Sequence, residues 1–220
     1  HPLSLLCSGL LFGTELLYVL TSGLQLVPAL RYDPSLRSRQ ADQLEPWVAQ
    51  QQPSVDIWIP TYNEPERLVR RAILTCRNLS YSNRTITVLD DGHRPAIAQL
   101  AAELGVHYLS RPDNAHRKAG NLNFALAHTN AELIAVFDCD FMPYPNFLER
   151  TLGFFADERV ALVQTPQHYF QAEFHNRNLG LDVVMPSDLD YFFRYLQVIR
   201  DRANAVICCG TSYVVRRRAL

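Results

Sequence analysis

The chain has 220 residues, of which 48% are hydrophobic, and its 21 Lys and Arg nearly balance its 22 Asp and Glu. This length fits about one to one and a half domains with a packed core. A net charge of −1 creates no global field that would attract nucleic acid or a strongly acidic partner, so the function has to be inferred from local sites.

The N-terminal segment, residues 1–30, is predicted to be a transmembrane helix. Glu15 is its one charged residue between positions 2 and 30, and about 20 mostly apolar residues suffice to span a bilayer. An interfacial or buried amphipathic helix is the alternative, whereas a signal peptide is disfavoured because no basic region precedes the apolar run. Arg31, Arg37 and Arg39 follow, which predicts that the next part of the chain is cytoplasmic.

Residues 31–54 are predicted to form an interfacial linker, because they combine three prolines with many Gln and Arg. From residue 55 onward, apolar runs alternate with helical patterns. Strands are predicted at 55–60, 85–89, 106–109, 133–137, 160–164 and 206–215, and helices from 65 and at 95–104, 118–128, 146–155 and 189–203. This alternation predicts an α/β fold with a doubly wound, mostly parallel sheet, which binds ligands at the carboxyl ends of its strands.

Two carboxylates, Asp138 and Asp140, follow the apolar strand at 133–137. Alternate residues of an extended chain point to the same side, so both side chains can share one cation. Hard oxygen ligands suit Mg²⁺ or Mn²⁺. A lone Asp-x-Asp is more often solvated, but a pair that closes a buried strand needs compensation, and a metal ion supplies it.

A second acidic pair, Asp90 and Asp91, follows the strand at 85–89 and precedes Gly92. One interpretation is a turn in which an aspartate caps the next helix. The other is that one carboxylate accepts a hydrogen bond from a base or ribose, while Gly92 lets the backbone approach the ligand. Tyr62, after the first strand, is either a stacking platform for a base or a partly buried core residue.

An anion site is predicted at Lys118, where the predicted helix 118–128 begins. Helix N-terminal amides attract anions and a lysine adds a full charge, with His116 and Arg117 nearby. A solvated surface lysine is the alternative. The sequence contains neither G-x-G-x-x-G nor a Walker motif, which disfavours a dinucleotide enzyme or a P-loop ATPase.

The five cysteines bear on the redox compartment. Their number is odd and no Cys-x-x-Cys spacing occurs, so neither a disulfide framework nor a zinc ribbon is predicted. Cys208 and Cys209 are adjacent, which is poor geometry for a disulfide. The pattern indicates a reducing compartment, the cytosol.

Six ordered motifs resemble those of the catalytic subunits of bacterial cellulose synthases, which are processive, inverting family 2 glycosyltransferases. The motifs are Pro60-Thr61-Tyr62-Asn63-Glu64-Pro65, Asp90-Asp91-Gly92, Lys118-Ala119-Gly120-Asn121, Phe137-Asp138-Cys139-Asp140, Gln164-Thr165-Pro166 and Cys209-Gly210-Thr211. The resemblance covers residues 55–220 and implies that they form the N-terminal part of a GT-A-type catalytic domain.

The resemblance also implies residue roles. UDP-glucose would be the donor, and the residues expected to bind it are Thr61, Tyr62, Glu64, Asp90, Asp91, Lys118 and Asp138. Lys118 would hold the diphosphate, and a metal ion would sit on Asp138 and Asp140. The expected catalytic residues are Asp90, Asp138 and Asp140. The acceptor end would dock at Cys209, Gly210 and Thr211.

The implied product is a β-1,4-glucan, made at the inner membrane by a cytoplasmic catalytic domain with an accessory subunit. The general base, in a Thr-Glu-Asp motif that this sequence lacks, is expected outside residues 1–220, together with the family's Gln-x-x-Arg-Trp motif. Where relatives usually have Phe-Phe-Cys-Gly-Ser, this chain has Ile207-Cys208-Cys209-Gly210-Thr211. This difference leaves the identity of the acceptor open. The alternatives are a chitin, hyaluronan or other glucan synthase, a lipid glucosyltransferase, or a non-catalytic nucleotide-binding scaffold; a cation transporter segment is disfavoured.

Overall fold

A computed structural model describes residues 2–30, 32–168, 174–181, 184–185 and 187–220. In chain order, the helices are α1 (Pro2–Ala29), α2 (Leu36–Gln51), α3 (Glu66–Arg77), α4 (Pro95–Glu103), α5 (Arg117–His128), α6 (Phe147–Leu152), α7 (Phe174–Asn178), α8 (Asp188–Tyr191) and α9 (Gln197–Arg202). The strands are β1 (Val55–Thr61), β2 (Arg84–Asp90), β3 (His107–Leu109), β4 (Leu133–Val136), β5 (Leu162–Gln164) and β6 (Tyr213–Arg216).

The chain divides into two compact units. One comprises the chain up to Ser35 together with Gln167–Ile207, and the other comprises Leu36–Pro166 together with Cys208–Leu220. We call them the helical unit and the sheet unit. All strands described belong to the sheet unit.

The helical unit contains α1, which forms at residues 2–29 as the sequence predicted. By length and composition alone, its segment Pro2–Leu24 is suited to crossing a membrane, and its leucines, such as Leu5 and Leu11, are exposed. Helix α9 contacts α1. The predicted helix at 189–203 forms as α8 and α9 joined by a π-helical turn, Phe192–Leu196.

The sheet unit is built on six strands in the order β3-β2-β1-β4-β6-β5. Strands β1 to β4 are mutually parallel, whereas β6 runs antiparallel to both β4 and β5. The predicted doubly wound, mostly parallel α/β sheet is confirmed. The carboxyl ends of β1, β2 and β4 therefore meet along one edge, with Thr61 opposite Asp90 in the register of β1 and β2.

The core lies on both faces of this sheet, which explains the continuous apolar runs of the central strands. Successive side chains of a strand point to opposite faces. Ile57 and Ile59 accordingly pack in the cluster that includes residues of α3 and α4, while Trp58 packs in the cluster that includes Ala125 of α5.

The last strand is shorter than the sequence predicted. The prediction was a strand at 206–215 interrupted at Gly210, whereas β6 begins at Tyr213 and residues 208–212 form a loop. The reason is local: Gly210 and Ser212 have φ angles of +80° and +56°, outside the extended region. We call residues 208–212 the β6 loop.

A helix lies within residues 31–54, where the sequence predicted an interfacial linker. Helix α2 packs against α6, with Ala41 and Val48 buried, and Arg150 pairs with Asp42. Pro46 weakens the helical signal, but burial against α6 stabilises the helix.

Candidate active site

The turn after β1 is held by an acidic side chain. The Thr61 hydroxyl and the Tyr62 backbone N–H both donate to one carboxylate oxygen of Glu64, at 2.8 and 2.7 Å. Burial alone would raise the pKa of Glu64, but these hydrogen bonds, together with one from the Glu64 backbone and the charge of Arg94, lower the pKa. The Tyr62 side chain is 51% exposed, so its ring is accessible to a ligand while the turn beneath it is fixed.

Asp90, at the end of β2, is fully buried and hydrogen-bonded by the protein. Its carboxylate accepts from the backbone N–H groups of Gly92 and Arg94, at 3.0 and 2.7 Å, and from the Tyr108 hydroxyl at 3.0 Å. The Arg94 guanidinium pairs with it and also donates to the Thr61 hydroxyl at 2.7 Å. Asp90 therefore stabilises the turn before α4, and its contact with a nucleotide stays a prediction.

Gly92 is required in this turn by a close approach of the backbone. A Cβ atom at Gly92 would collide with the Tyr62 carbonyl oxygen. The turn after β2 is thereby packed directly against the turn after β1, which brings two of the predicted donor-binding motifs together.

Asp91 forms a buried ion pair with Arg111. Its two carboxylate oxygens accept from Nε and Nη2 of Arg111 at 2.6 and 2.8 Å, and both side chains are nearly inaccessible to solvent. This bidentate geometry is the strong form of the interaction. The carboxylate predicted to bind the donor is thus engaged by a guanidinium, and its role toward the donor stays a prediction.

Arg111 also fixes the segment that precedes α5. Its Nη1 and Nη2 donate to the carbonyls of Ala115 and Arg117 at 2.5 and 2.9 Å. A Cβ at Gly120 would collide with the Ala115 carbonyl and with the Arg111 guanidinium, so the Lys118-Ala119-Gly120 motif fits closely over Arg111. The segment that carries the predicted anion-binding lysine is therefore held in place by Arg111.

Lys118 brings together residues that the sequence assigned to different functions. Its ammonium pairs with the carboxylate of Asp138 and donates to the Gly210 carbonyl at 2.7 Å. The Asp138 N–H donates to the Thr211 hydroxyl at 2.9 Å. The predicted donor-binding lysine, the predicted metal ligand and the predicted acceptor loop thus meet at the carboxyl end of β4.

Negative charge is concentrated around Asp138. Burial raises the pKa of Asp138, the ion pair with Lys118 opposes this, and the charges of Asp140 and Glu64 raise it further, so that the net direction is upward. The Asp138 side chain is 35% exposed, and Asp140 is exposed. Both carboxylates are therefore open to a ligand.

These two carboxylates fit Mg²⁺ or Mn²⁺ by the chemistry of their oxygen atoms. Within the described ranges, no group of three or more His, Cys, Asp and Glu side chains could hold a metal ion by itself. Asp138 and Asp140 would supply two protein ligands, and water and phosphate oxygens would supply the others. This division is the usual one for Mg²⁺ at phosphate-binding sites.

The β6 loop is held by Gln164, at the end of β5. Its Nε2 donates to the carbonyls of Thr211 and Ser212 at 3.0 and 3.1 Å, and its Oε1 accepts from the Cys209 N–H at 2.8 Å. The Thr165 hydroxyl donates to the Ser212 carbonyl at 2.8 Å. The Gln-Thr-Pro motif therefore shapes the predicted acceptor loop from beneath.

Gln164→Glu is expected to destabilise the sheet unit by about 1–3 kcal/mol at pH 7, because a carboxylate oxygen would face the three carbonyl oxygens, of Thr165, Thr211 and Ser212, that now accept hydrogen bonds from the amide. Urea unfolding measures the effect. Gln43→Glu, on the exposed surface of α2, makes the same chemical change and should leave the unfolding midpoint close to the parent value. Equal midpoints for both variants would contradict the holding role of Gln164.

Sequence reasoning missed two arginines, Arg94 and Arg111. Each follows a strand and precedes a proline. This local sequence is typical of a solvent-exposed loop. The available signal was the acidic pair itself: buried carboxylates need partners, and Asp90 and Asp91 precede both arginines.

Known proteins resemble this chain in sequence. A family model described as "Glycosyl transferase family 2" matches residues 56–220. Cellulose synthase 1 of Komagataeibacter xylinus is 40% identical over 171 residues, which are 76% of this chain and 11% of that protein. The UDP-forming cellulose synthase catalytic subunit of Xanthomonas axonopodis pv. citri is also 40% identical over 171 residues, 76% of this chain and 24% of that protein. The motif-based resemblance is confirmed, and the chain spans well under half the length of these relatives.

Solved structures share the fold at low sequence identity. The mannosyltransferase PcManGT of Pyrobaculum calidifontis, solved with GDP-Man and Mn²⁺, matches with a TM-score of 0.56 at 17% identity. The match covers 84% of this chain and 55% of the PcManGT chain. Glucosyl-3-phosphoglycerate synthase of Mycobacterium tuberculosis, solved with Mn²⁺, UDP and glucosyl-3-phosphoglycerate, matches with a TM-score of 0.52 at 19% identity. The match covers 81% of this chain and 61% of the synthase chain. The predicted GT-A-type α/β fold is confirmed.

Proposed function

The chain belongs to glycosyl transferase family 2, and from this premise we propose that residues 55–220 form part of the catalytic domain of a β-1,4-glucan synthase. The enzyme would transfer glucose from UDP-glucose to the end of a growing glucan. One observation carries the proposal: Lys118 contacts both Asp138 and the Gly210 carbonyl. A diphosphate-binding cation, a metal-binding carboxylate and an acceptor loop thereby converge at one strand end.

We assign the donor to the edge where β1, β2 and β4 end. The exposed ring of Tyr62 offers a face for the uracil, on a turn that Thr61 and Glu64 hold in shape. Lys118 binds the diphosphate. A divalent metal ion held by Asp138 and Asp140 would neutralise the charge that develops on the leaving diphosphate.

The reaction is a direct displacement at the anomeric carbon. A hydroxyl of the acceptor end attacks, the bond to the UDP oxygen breaks, and UDP leaves with the bonding electrons while Lys118 stabilises its charge. The β6 loop, shaped by Gln164, positions the acceptor end next to Asp138. The hydroxyl proton passes to a general base, a role that we give to neither Asp90 nor Asp91, because Arg94 and Arg111 engage them.

The proposal includes a membrane location. Helix α1 has the length and composition of a membrane span, and the basic residues that follow it favour a cytoplasmic catalytic domain at the inner membrane. An accessory subunit would assemble with the full-length protein.

Product analysis of the full-length protein in its native membranes tests this function. We expect radiolabelled UDP-glucose, with Mg²⁺ or Mn²⁺, to give an insoluble product that β-1,4-glucanase digests and β-1,3-glucanase does not. Transfer from UDP-N-acetylglucosamine instead would identify a chitin- or hyaluronan-type synthase. Label in lipid would identify a lipid glucosyltransferase, and UDP binding without any transfer would identify a scaffold.

A further inference from the structure

Lys118 is the single lysine of the 220 residues, and the other Lys and Arg positions are all arginines. Its ammonium contacts Asp138, and the charges of Asp140 and Glu64 act on the same carboxylate. Arginine is the residue that forms permanent bidentate pairs with carboxylates, as Arg111 does with Asp91. A lysine ammonium is a compact point charge that exchanges partners more easily.

The position of this lysine is built into the fold. Arg111 holds the carbonyls of Ala115 and Arg117, on the segment that leads to Lys118. The Gly210 carbonyl, its second partner at 2.7 Å, belongs to the β6 loop that Gln164 holds. The ammonium is therefore directed onto Asp138 by supports on both sides.

We propose that Lys118 is a built-in counter-ion of Asp138 that competes with the divalent cation for this carboxylate, so that the metal binds tightly only when a nucleoside diphosphate takes Lys118 over. The proposal rests on the proposed function, because it assigns an order of binding to the same site. Metal and nucleotide would then enter as a pair.

Electrostatics gives the physical reason. An ammonium and a divalent cation on one carboxylate repel each other over a few ångströms, and the partial exposure of both side chains only moderates this repulsion. A diphosphate changes the balance, because its oxygens offer the ammonium a new partner and offer the metal further ligands. Lys118 then leaves Asp138 to the metal. The Gly210 carbonyl loses its hydrogen bond from Lys118 when the nucleotide binds.

Lys118→Met tests the proposal through metal binding in the purified full-length protein. Removal of the competing charge should raise the affinity for Mn²⁺ alone by about tenfold, while the affinity for UDP in the presence of Mn²⁺ should fall by about tenfold, since one cation contact to phosphate is lost. Electron paramagnetic resonance of free Mn²⁺ measures the first quantity and calorimetry the second. Opposite changes in the two affinities confirm the exchange.

Two further variants make the result specific. Lys118→Arg keeps the positive charge and should show no gain in binding of Mn²⁺ alone. Asp138→Asn in the Lys118→Met background should remove the gain, which places the ion on this carboxylate. An affinity for Mn²⁺ alone that Lys118→Met leaves unchanged or lowers would overturn the proposal, provided that the parent protein binds UDP with Mn²⁺. A parent protein that does not bind UDP would instead contradict the proposed function.

Discussion

Asp140→Asn is expected to lower glucosyl transfer by about 10²–10³-fold or more, because it removes one of the two carboxylates proposed to hold the metal ion against the leaving diphosphate. Asp140 is exposed at the end of the Asp-Cys-Asp motif. Its loss should therefore leave the fold intact while Mn²⁺-dependent binding of UDP disappears. Calorimetric titration of UDP with and without Mn²⁺ measures this, together with the rate of UDP release.

A matched variant separates the metal role from a general change in charge. Glu158→Gln removes one negative charge from a side chain that is 82% exposed in the turn before β5, and it should change neither UDP binding nor transfer. Thermal unfolding should show the same midpoint for both variants. Mn²⁺-dependent UDP binding that survives in Asp140→Asn would rule out the metal role of this carboxylate.

The positions of the central strands were predictable because a strand that is buried on both faces consists of a continuous run of apolar residues. The run at 133–137 gave the end of β4 to within one residue, and with it the place of Asp138. The exposed acidic and basic side chains that follow such runs stand where ligands bind parallel sheets. The sequence was therefore sufficient to predict the strand ends at which the candidate site lies.

The partners of those side chains were not predictable in the same way. Arg111 reaches Asp91 across 20 positions of the chain, and Gln164 reaches the β6 loop across 45. Local patterns carry no information about such pairings, because they arise when β3 pairs with β2 and β5 pairs with β6. The antiparallel direction of β6 was hidden for the same reason.

The acidic pair at the end of β2, Asp90 and Asp91, shows how burial decides between two interpretations of one motif. The sequence left open whether these aspartates cap a turn or contact a nucleotide. In the structure both are buried, and their carboxylates accept hydrogen bonds from Gly92, Arg94, Tyr108 and Arg111. Their first effect is thus to stabilise the floor of the site. The more exposed side chains of Tyr62, Asp138 and Asp140 are open to a ligand.

Arg111→Met should destabilise the sheet unit by about 3–5 kcal/mol, because it leaves Asp91 as a buried carboxylate without its counter-ion. The carbonyls of Ala115 and Arg117 lose their donors in the same step. The urea midpoint of unfolding measures the loss. Arg70→Met breaks the two exposed pairs with Glu66 and Glu103 and should cost no more than about 1 kcal/mol. It therefore controls for the loss of a guanidinium group.

A double variant separates stability from the positioning of Lys118. Asp91→Leu combined with Arg111→Met removes both buried charges, and replacement of a buried pair by apolar side chains is often close to neutral, so much of the stability should return. The segment before α5 would still lack the donors that hold its carbonyls. We therefore expect a folded protein that binds UDP with Mn²⁺ more weakly than the parent. Full recovery of both stability and UDP binding would show that Arg111 serves the fold alone and does not position Lys118.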